Sequence, residues 1–516
     1  MLCCPLLLLM SGHVFQPPAA DAPDPKEKAR QFLESASGMI AAAPPESQAP
    51  ALFQLATVEK AANKVKAIEH LEQAFAAAAV LPSRKDNRLK EQTQALIVRE
   101  LAINDLDLAI EKIASMDITP PDEIDPRAEA IEQIVAGLVR EKKLDEASAV
   151  MDRFASTGAY SFGGARALLT AMSPDDDRRA LLFGQVVSAF SRRPDIRPME
   201  LFVREFSPRR ERPMPKSLFD TAIRAMVDAA LDNKGIVEPS TLTITTDKAT
   251  ISLNDPQDSV LWRLIDLAVL VDQDLVRKAI RDRPSLTNLV ELFPAGMTSM
   301  AKGDAVMTAG TLVGDGPNSR EAQEKQQRLI VETARFQEVM KYYRKDPAKA
   351  LEASRGIPTP VLRVRAITTV ARNVDETEPA AAKATIEKCI AALEEMKPPE
   401  TRASGWSGIA MAAGKIKDKE LATRALLKGL DDIKAQYAAD ADPDNPNGAP
   451  RPMWPSSVSY RNLFYQAAKI LGTETENFLE KVQDPEIQAL ARIEMAGAWL
   501  GVQQAQIPIR TLKKQK

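Results

Sequence analysis

The stretch that decides the fold is Pro399–Ile433, PETRASGWSGIAMAAGKIKDKELATRALLKGLDDI. Its first half sets Trp406, Ile409, Ala410 and Ala413 at the i, i+3, i+4, i+7 spacing of a single helix face. Gly414 and the charged run Lys415-Ile416-Lys417-Asp418-Lys419 interrupt that pattern. Leu421, Ala422, Ala425, Leu426 and Leu430 then mark the inner face of a second helix. Small residues such as Ala410 and Ala422 let two helix backbones approach, and large ones such as Trp406 and Leu426 fill the space beside them. The stretch reads as one helical hairpin.

Working outward, the same opening recurs. Ten, eleven and fourteen residues after Pro360 stand Val370, Ala371 and Val374; after Pro399 stand Ile409, Ala410 and Ala413; after Pro485 stand Met495, Ala496 and Trp499. Three residues after each proline stand Arg363, Arg402 and Gln488. Seven residues after stand Ile367, Trp406 and Arg492, so the third copy departs there. A looser copy begins at Pro126, with Ile131, Ile134, Val135 and Ala136. The first two prolines are 39 residues apart and the next pair 86, close to two such units. Repetition near 40 residues is expected of a stacked helical array, in which each unit covers its neighbour's apolar face.

On these residues the hairpin resembles a tetratricopeptide-type unit. Trp406, Ile409 and Ala410 match the bulky, apolar and small positions of that family's first helix, and Ala422, Leu426 and Gly429 the small, large, small positions of its second. Residues 126–154 resemble it again through Leu138, Leu144, Ala147, Met151 and Phe154, with Val135 where a small residue is usual. The family's regular unit is shorter than 39 residues, and the resemblance covers these two hairpins of a 516-residue chain. It implies a helical solenoid that binds other proteins or peptides, and identifies no ligand. The expected fold class is all-α, a helical-hairpin array with one small inserted β-hairpin at about 241–253, where Leu242, Ile244, Ile251 and Leu253 alternate with polar residues around Thr246-Asp247-Lys248.

Composition bounds the function. Apolar content of 45% and charged content of 27% are globular values, and a net charge of −3 gives no global case for a nucleic-acid or membrane-surface protein. The cysteines are Cys3, Cys4 and Cys389, and the histidines His13 and His70. A Ser-His-Asp enzyme would have to use His70, which sits in the helical pattern AIEHLEQAF, and zinc sites built on several His or Cys are excluded. No catalytic, cofactor-binding or metal-binding residue is assigned.

Along the chain, Leu2–Met10 is too short to span a bilayer and resembles the apolar core of a secretory signal, so residues 1–20 are expected to be a signal peptide and the protein periplasmic or extracellular; a cytoplasmic adaptor is the alternative. Residues 21–50 read as linker and short helix, 51–319 as an N-terminal helical region carrying the β-hairpin, and 320–516 as a C-terminal helical-repeat region with a Pro-rich loop at 438–456. Residues 157–164, TGAYSFGG, read as a flexible turn with a helix resuming near 165, and a helix is expected near 474–482.

Four stretches compete as sites. Residues 192–216 carry eight Arg or Lys against four acidic residues and read as a solvated basic loop. Asp440, Asp442 and Asp444 open like a calcium loop, but Asn445 and Arg451 stand where glycine and glutamate are needed. Gly408–Lys415 has the wrong spacing for a phosphate loop. Tyr437, Trp454, Tyr460, Phe464 and Tyr465 bracket the Pro-rich loop in a chain only 5% aromatic, which makes them the candidate binding surface, against the alternative of a hydrophobic lid over the last helices. The function expected is an exported repeat scaffold that binds a protein or peptide. An α/α-barrel carbohydrate-active hydrolase with a carboxylate pair is the alternative.

Overall fold

A computed structural model describes residues 24–83, 88–117, 125–236, 242–245, 250–253, 255–291, 320–441 and 450–502. The described chain is built almost entirely of helices. In order they are α1 (Pro25–Ala41), α2 (Pro45–Glu59), α3 (Lys64–Ala77), α4 (Leu89–Asn104), α5 (Leu106–Ser115), α6 (Pro126–Arg140), α7 (Leu144–Phe154), α8 (Phe162–Ala171), α9 (Arg178–Arg192), α10 (Ile196–Glu205) and α11 (Lys216–Leu231). Strands β1 (Leu242–Thr245) and β2 (Thr250–Leu253) follow as an antiparallel pair, with Leu242 opposite Leu253 and Ile244 opposite Ile251. Next come α12 (Pro256–Val271), α13 (Gln273–Ile280), α14 (Pro284–Glu291), α15 (Arg320–Tyr342), α16 (Pro347–Arg355), α17 (Pro360–Arg372), α18 (Pro379–Glu394), α19 (Trp406–Lys415), α20 (Lys419–Asp440), α21 (Pro455–Leu471) and α22 (Pro485–Trp499). The described residues fall into two compact units, one of Pro44–Ala56 and Lys64–Val370, the other of 24–43, Thr57–Asn63 and 371–502.

In the first unit alternate helices stack: α4 packs on α6, α6 on α8 and α8 on α10, while α9 packs on α11. This is the neighbour-on-neighbour arrangement of a helical-repeat array. The faces agree with the sequence periods. In α6 Ala130, Ile131, Ile134, Val135 and Leu138 are buried, and in α7 Ala147, Val150, Met151 and Phe154. Between α9 and α10 the core is aromatic: Phe183 meets Phe206 edge-on at 5.4 Å and Phe202 at 6.0 Å.

In the second unit α19 and α20 form the hairpin read from Pro399–Ile433, and both pack on α21, which packs on α22. Trp406, Ile409, Ala410 and Ala413 of α19 are fully buried, as are Ala422 and Ala425 of α20. This hairpin and the α6–α7 hairpin share one turn. In each, the first helix ends at Lys415 or Arg140, a lysine two residues on takes a left-handed conformation (Lys417 φ 58°, Lys142 φ 62°), and the next helix opens two residues later. Asp418 N–H donates to the Ala413 carbonyl at 3.1 Å, and Lys143 N–H to the Leu138 carbonyl at 2.9 Å. These are the six-to-one bonds that close a helix C-terminus.

The copies counted from prolines share a second device. The side chain three residues after the proline donates to the carbonyl three residues before it: Arg363 to Ile357 at 2.7 Å, Arg402 to Met396 at 3.1 Å, Gln488 to Val482 at 2.6 Å. Each carbonyl belongs to a buried apolar residue, so the donor satisfies a backbone group that water does not reach. Gln488 does the work of arginine in the copy where Arg492 replaces the bulky apolar residue.

Two expectations are corrected. The segment near 474–482 is not α-helical but a 3₁₀ stretch, Gly472–Lys481, entered through Gly472 at φ +60°. The turn at 157–164 is anchored, not loose: Tyr160 and Ser161 are buried, and Ser161 Oγ accepts from Gly164 N–H at 3.1 Å, so α8 starts at Phe162. Pro360 and Pro485 each begin a helix, whereas Pro399 opens two short 3₁₀ turns before α19 starts at Trp406.

Candidate functional site

The five aromatics surround the junction of α20, α21 and α22. Tyr437 lies in the last turn of α20, and Trp454 just precedes α21; their rings meet at 5.5 Å with a 51° tilt, both half-buried. Tyr460 and Phe464, one turn apart on α21, point into the core and are only 4% and 2% exposed. Tyr465, on the next residue, is half-buried; its hydroxyl donates to the Val502 carbonyl at 3.0 Å, and Lys469 Nζ lies 5.7 Å from its ring centre. The five residues therefore divide. Tyr437 and Trp454 reach solvent as a pair, Tyr460 and Phe464 hold α21 in place, and Tyr465 ties it to the chain after α22.

A cleft of ≈ 500 Å³ opens beside Tyr437. Tyr460, Val482 and Ile487 supply its apolar lining, and Lys434 and Lys481 stand exposed on it. Asp484 organises this region. One carboxylate oxygen caps α22, accepting from Glu486 N–H at 2.8 Å and Ile487 N–H at 3.1 Å. The other accepts from the Tyr437 hydroxyl and pairs with Arg451 at 3.4 Å. Sequence reasoning missed Asp484 as part of the site; the Asp-Pro step that opens α22 marks it as a helix cap, but nothing local indicates that Tyr437, 47 residues earlier, reaches it. Burial, and then the Asp484 carboxylate, holds the Tyr437 hydroxyl well above the usual phenol range. Burial pushes Tyr460 up to about 12. Neither ionises near neutral pH, so both act as neutral hydrogen-bonding and apolar groups.

The other candidates take ordinary positions. Asp440 accepts from Ser456 N–H at 2.9 Å; Asp442 and Asp444 lie outside the described residues. Among the described residues no group of three or more His, Cys, Asp or Glu is placed to hold a metal ion. Gly408, Ile409 and Ala410 are buried within α19. His70 is half-buried on α3. Most basic side chains of 192–216 are exposed, as a solvated stretch requires; Arg204 turns inward, pairing with Glu200 at 3.0 Å and Asp266 at 2.8 Å, while the exposed Arg212 donates to the Thr170 carbonyl at 2.6 Å. Among the described residues no helix is long and apolar enough to cross a membrane.

No protein family and no curated protein sequence matches the chain. Among solved structures, a circular tandem repeat protein with novel repeat topology and enhanced subunit contact surfaces aligns at 12% identity over 90% of this chain and 82% of its own, with a TM-score of 0.13.

Proposed function

We propose that this chain is a non-enzymatic helical-repeat scaffold that binds a protein or peptide, and that the cleft beside Tyr437 is where it does so. The observation that carries the reading is Tyr437, a half-buried aromatic that lines a cleft with an apolar lining and two exposed lysines and is backed by the ring of Trp454. Aromatic side chains give large contact area for little lost freedom, which is why they dominate binding hot spots. The tetratricopeptide-type residue spacing of the α19–α20 stretch supports the same role. A partner segment would seat an apolar side chain over Tyr460 and Ile487 and bring an acidic group to Lys434 and Lys481. Neither nucleic acid nor membrane lipid is the partner in this reading. The apolar run Leu6–Leu9 supports export to the periplasm or outside the cell; N-terminal sequencing of the purified protein tests it.

The test of binding is affinity capture from the native host with the wild-type chain, Trp454→Ala and Lys434→Glu. A partner held by the wild type and released by both variants supports the reading. A partner retained by both variants, with the chains folded, removes the cleft from consideration.

A further inference from the structure

A second cleft, of ≈ 530 Å³, lies within the Lys64–Val370 unit between α6, the turn before α8 and the turn between α9 and α10. It is independent of the Tyr437 cleft and of the reading given to it. The polar stripe of α6, Glu129, Glu132 and Gln133, forms one wall, opposite the face that α6 buries in the core. Tyr160 and Gly163 form the second wall, and Arg193 and Asp195 the third.

Three features set this cleft apart. First, three polar atoms on its lining side chains are buried without a hydrogen-bond partner among the described residues: the Tyr160 hydroxyl, Gln133 Oε1 and Arg193 Nη2. Tyr160 is only 5% exposed, and burying such a group unpaired costs about 1–3 kcal/mol. A group left unpaired in this way calls for a partner, and a ligand in the cleft would supply one. Second, charge on the lining is unbalanced. Four carboxyls, Asp125, Glu129, Glu132 and Asp195, face one guanidinium, Arg193. Asp125 is already paired, with Arg127 at 2.6 Å and Arg193 at 3.7 Å. Desolvation holds both Glu132 and Asp195 above the usual carboxylate range, although Arg166 opposes the shift at Glu132 and Arg193 and Arg197 oppose it at Asp195. Third, the Glu132 carboxyl rests on the bare Cα of Gly163: a Cβ added there would stand 2.2 Å from it. Gly163 thus leaves the carboxyl room inside the cleft.

From this geometry we infer that the cleft binds a basic amino-acid unit, arginine or lysine, free or within a peptide. The cationic nitrogen lies among Glu129, Glu132 and Asp195, and donates to Gln133 Oε1. The carbonyl or carboxylate of the same unit accepts from Arg193 Nη2, and the Tyr160 hydroxyl completes the set. Charge-assisted bonds of this kind are the strong ones in partly desolvated sites.

Calorimetric titration of the full chain tests this, with four probes: L-arginine, L-lysine, Nα-acetyl-arginine amide as the peptide-like form, and Nα-acetyl-norleucine amide as the uncharged control. Saturable binding of an arginine or lysine probe is expected, with no binding of the norleucine control. Tyr160→Phe and Glu132→Gln should each weaken binding about tenfold, the loss of one good hydrogen bond to a charged or desolvated group. Gly163→Ala should weaken it as well, by moving the Glu132 carboxyl without changing the charge. The free and blocked arginine arms identify the source, since the tighter one is the natural form. The inference is overturned if no cationic probe binds the folded chain, if the norleucine probe binds equally well, or if folded Tyr160→Phe and Gly163→Ala chains bind as the wild type does.

Discussion

The Cα of Gly429 on α20 lies against the side chain of Trp406 on α19: a methyl group placed on it would stand 2.8 Å from the tryptophan Cβ and 3.1 Å from Leu463 Cδ1. Both neighbours are buried and hemmed in by core. Gly429→Ala gains helix propensity worth about 1 kcal/mol, but overpacking a closed core costs about 1–3 kcal/mol. A net loss of stability is expected, read as a lower urea midpoint at unchanged slope. A midpoint at or above the wild type's would mean the two helices are not held this close.

Lys417 and Lys142 pose the opposite case. Both occupy left-handed backbone, with φ 58° and φ 62°, which disfavours any side chain with a Cβ by roughly 1–2 kcal/mol. Glycine removes that strain and returns part of the gain as unfolded-state entropy. Lys417→Gly and Lys142→Gly should each stabilise the chain by about 0.5–1 kcal/mol. Thermal melting measures it; a fall in Tm for either variant would contradict the shared turn.

Arg461 on α21 and Glu494 on α22 form an ion pair at 2.6 Å with both side chains 3% exposed. Removing one partner strands a buried charge and costs about 3–5 kcal/mol. Arg461→Met or Glu494→Gln alone should therefore be severely destabilising. The double replacement should cost much less than the sum of the two. A double-mutant cycle on chemical denaturation measures the coupling, and simple additivity would show that the pair is not joined.

Cys389 on α18 is fully buried, and burial pushes its thiol up to about 12 from an ordinary 9.0. The folded chain holds this proton to higher pH than the unfolded one does. Its contribution to stability is thus complete below pH 9 and is lost as pH rises from there toward 12, at up to about 1.4 kcal/mol per pH unit. Native protein at pH 8 should leave the peptide carrying Cys389 unalkylated by iodoacetamide in mass spectrometry, while urea-unfolded protein should label it fully. Labelling of the native chain would place the thiol at the surface.

Local pattern sufficed wherever the controlling forces act over one or two helical turns. The apolar spacing of Pro399–Ile433 located α19, α20 and their buried faces, because a 3.6-residue period sorts side chains onto faces before any partner is chosen. The stretch at 474–482 misled for a related reason: the 3₁₀ form there follows from how Gly472, at φ +60°, redirects the chain after α21, which apolar spacing does not encode. The aromatic cluster was visible as composition, but its division into a solvent-reaching pair and two core residues was not, because Tyr437 on α20 and Trp454 before α21 meet only once the two segments have packed.

By itself the sequence determined an all-helical body, its hairpins with their inward faces, the small strand pair and the scarcity of histidine and cysteine. Only the tertiary structure decided which faces meet. It set α1 against α22, with Phe32 and Trp499 at 5.2 Å. It brought Asp484 to Tyr437. It gathered Glu132, Tyr160 and Arg193 around one cleft. A residue's period fixes the side of the helix on which it lies, whereas its neighbours depend on shape and charge matching between segments far apart in the chain, and that matching exists only once the helices have packed.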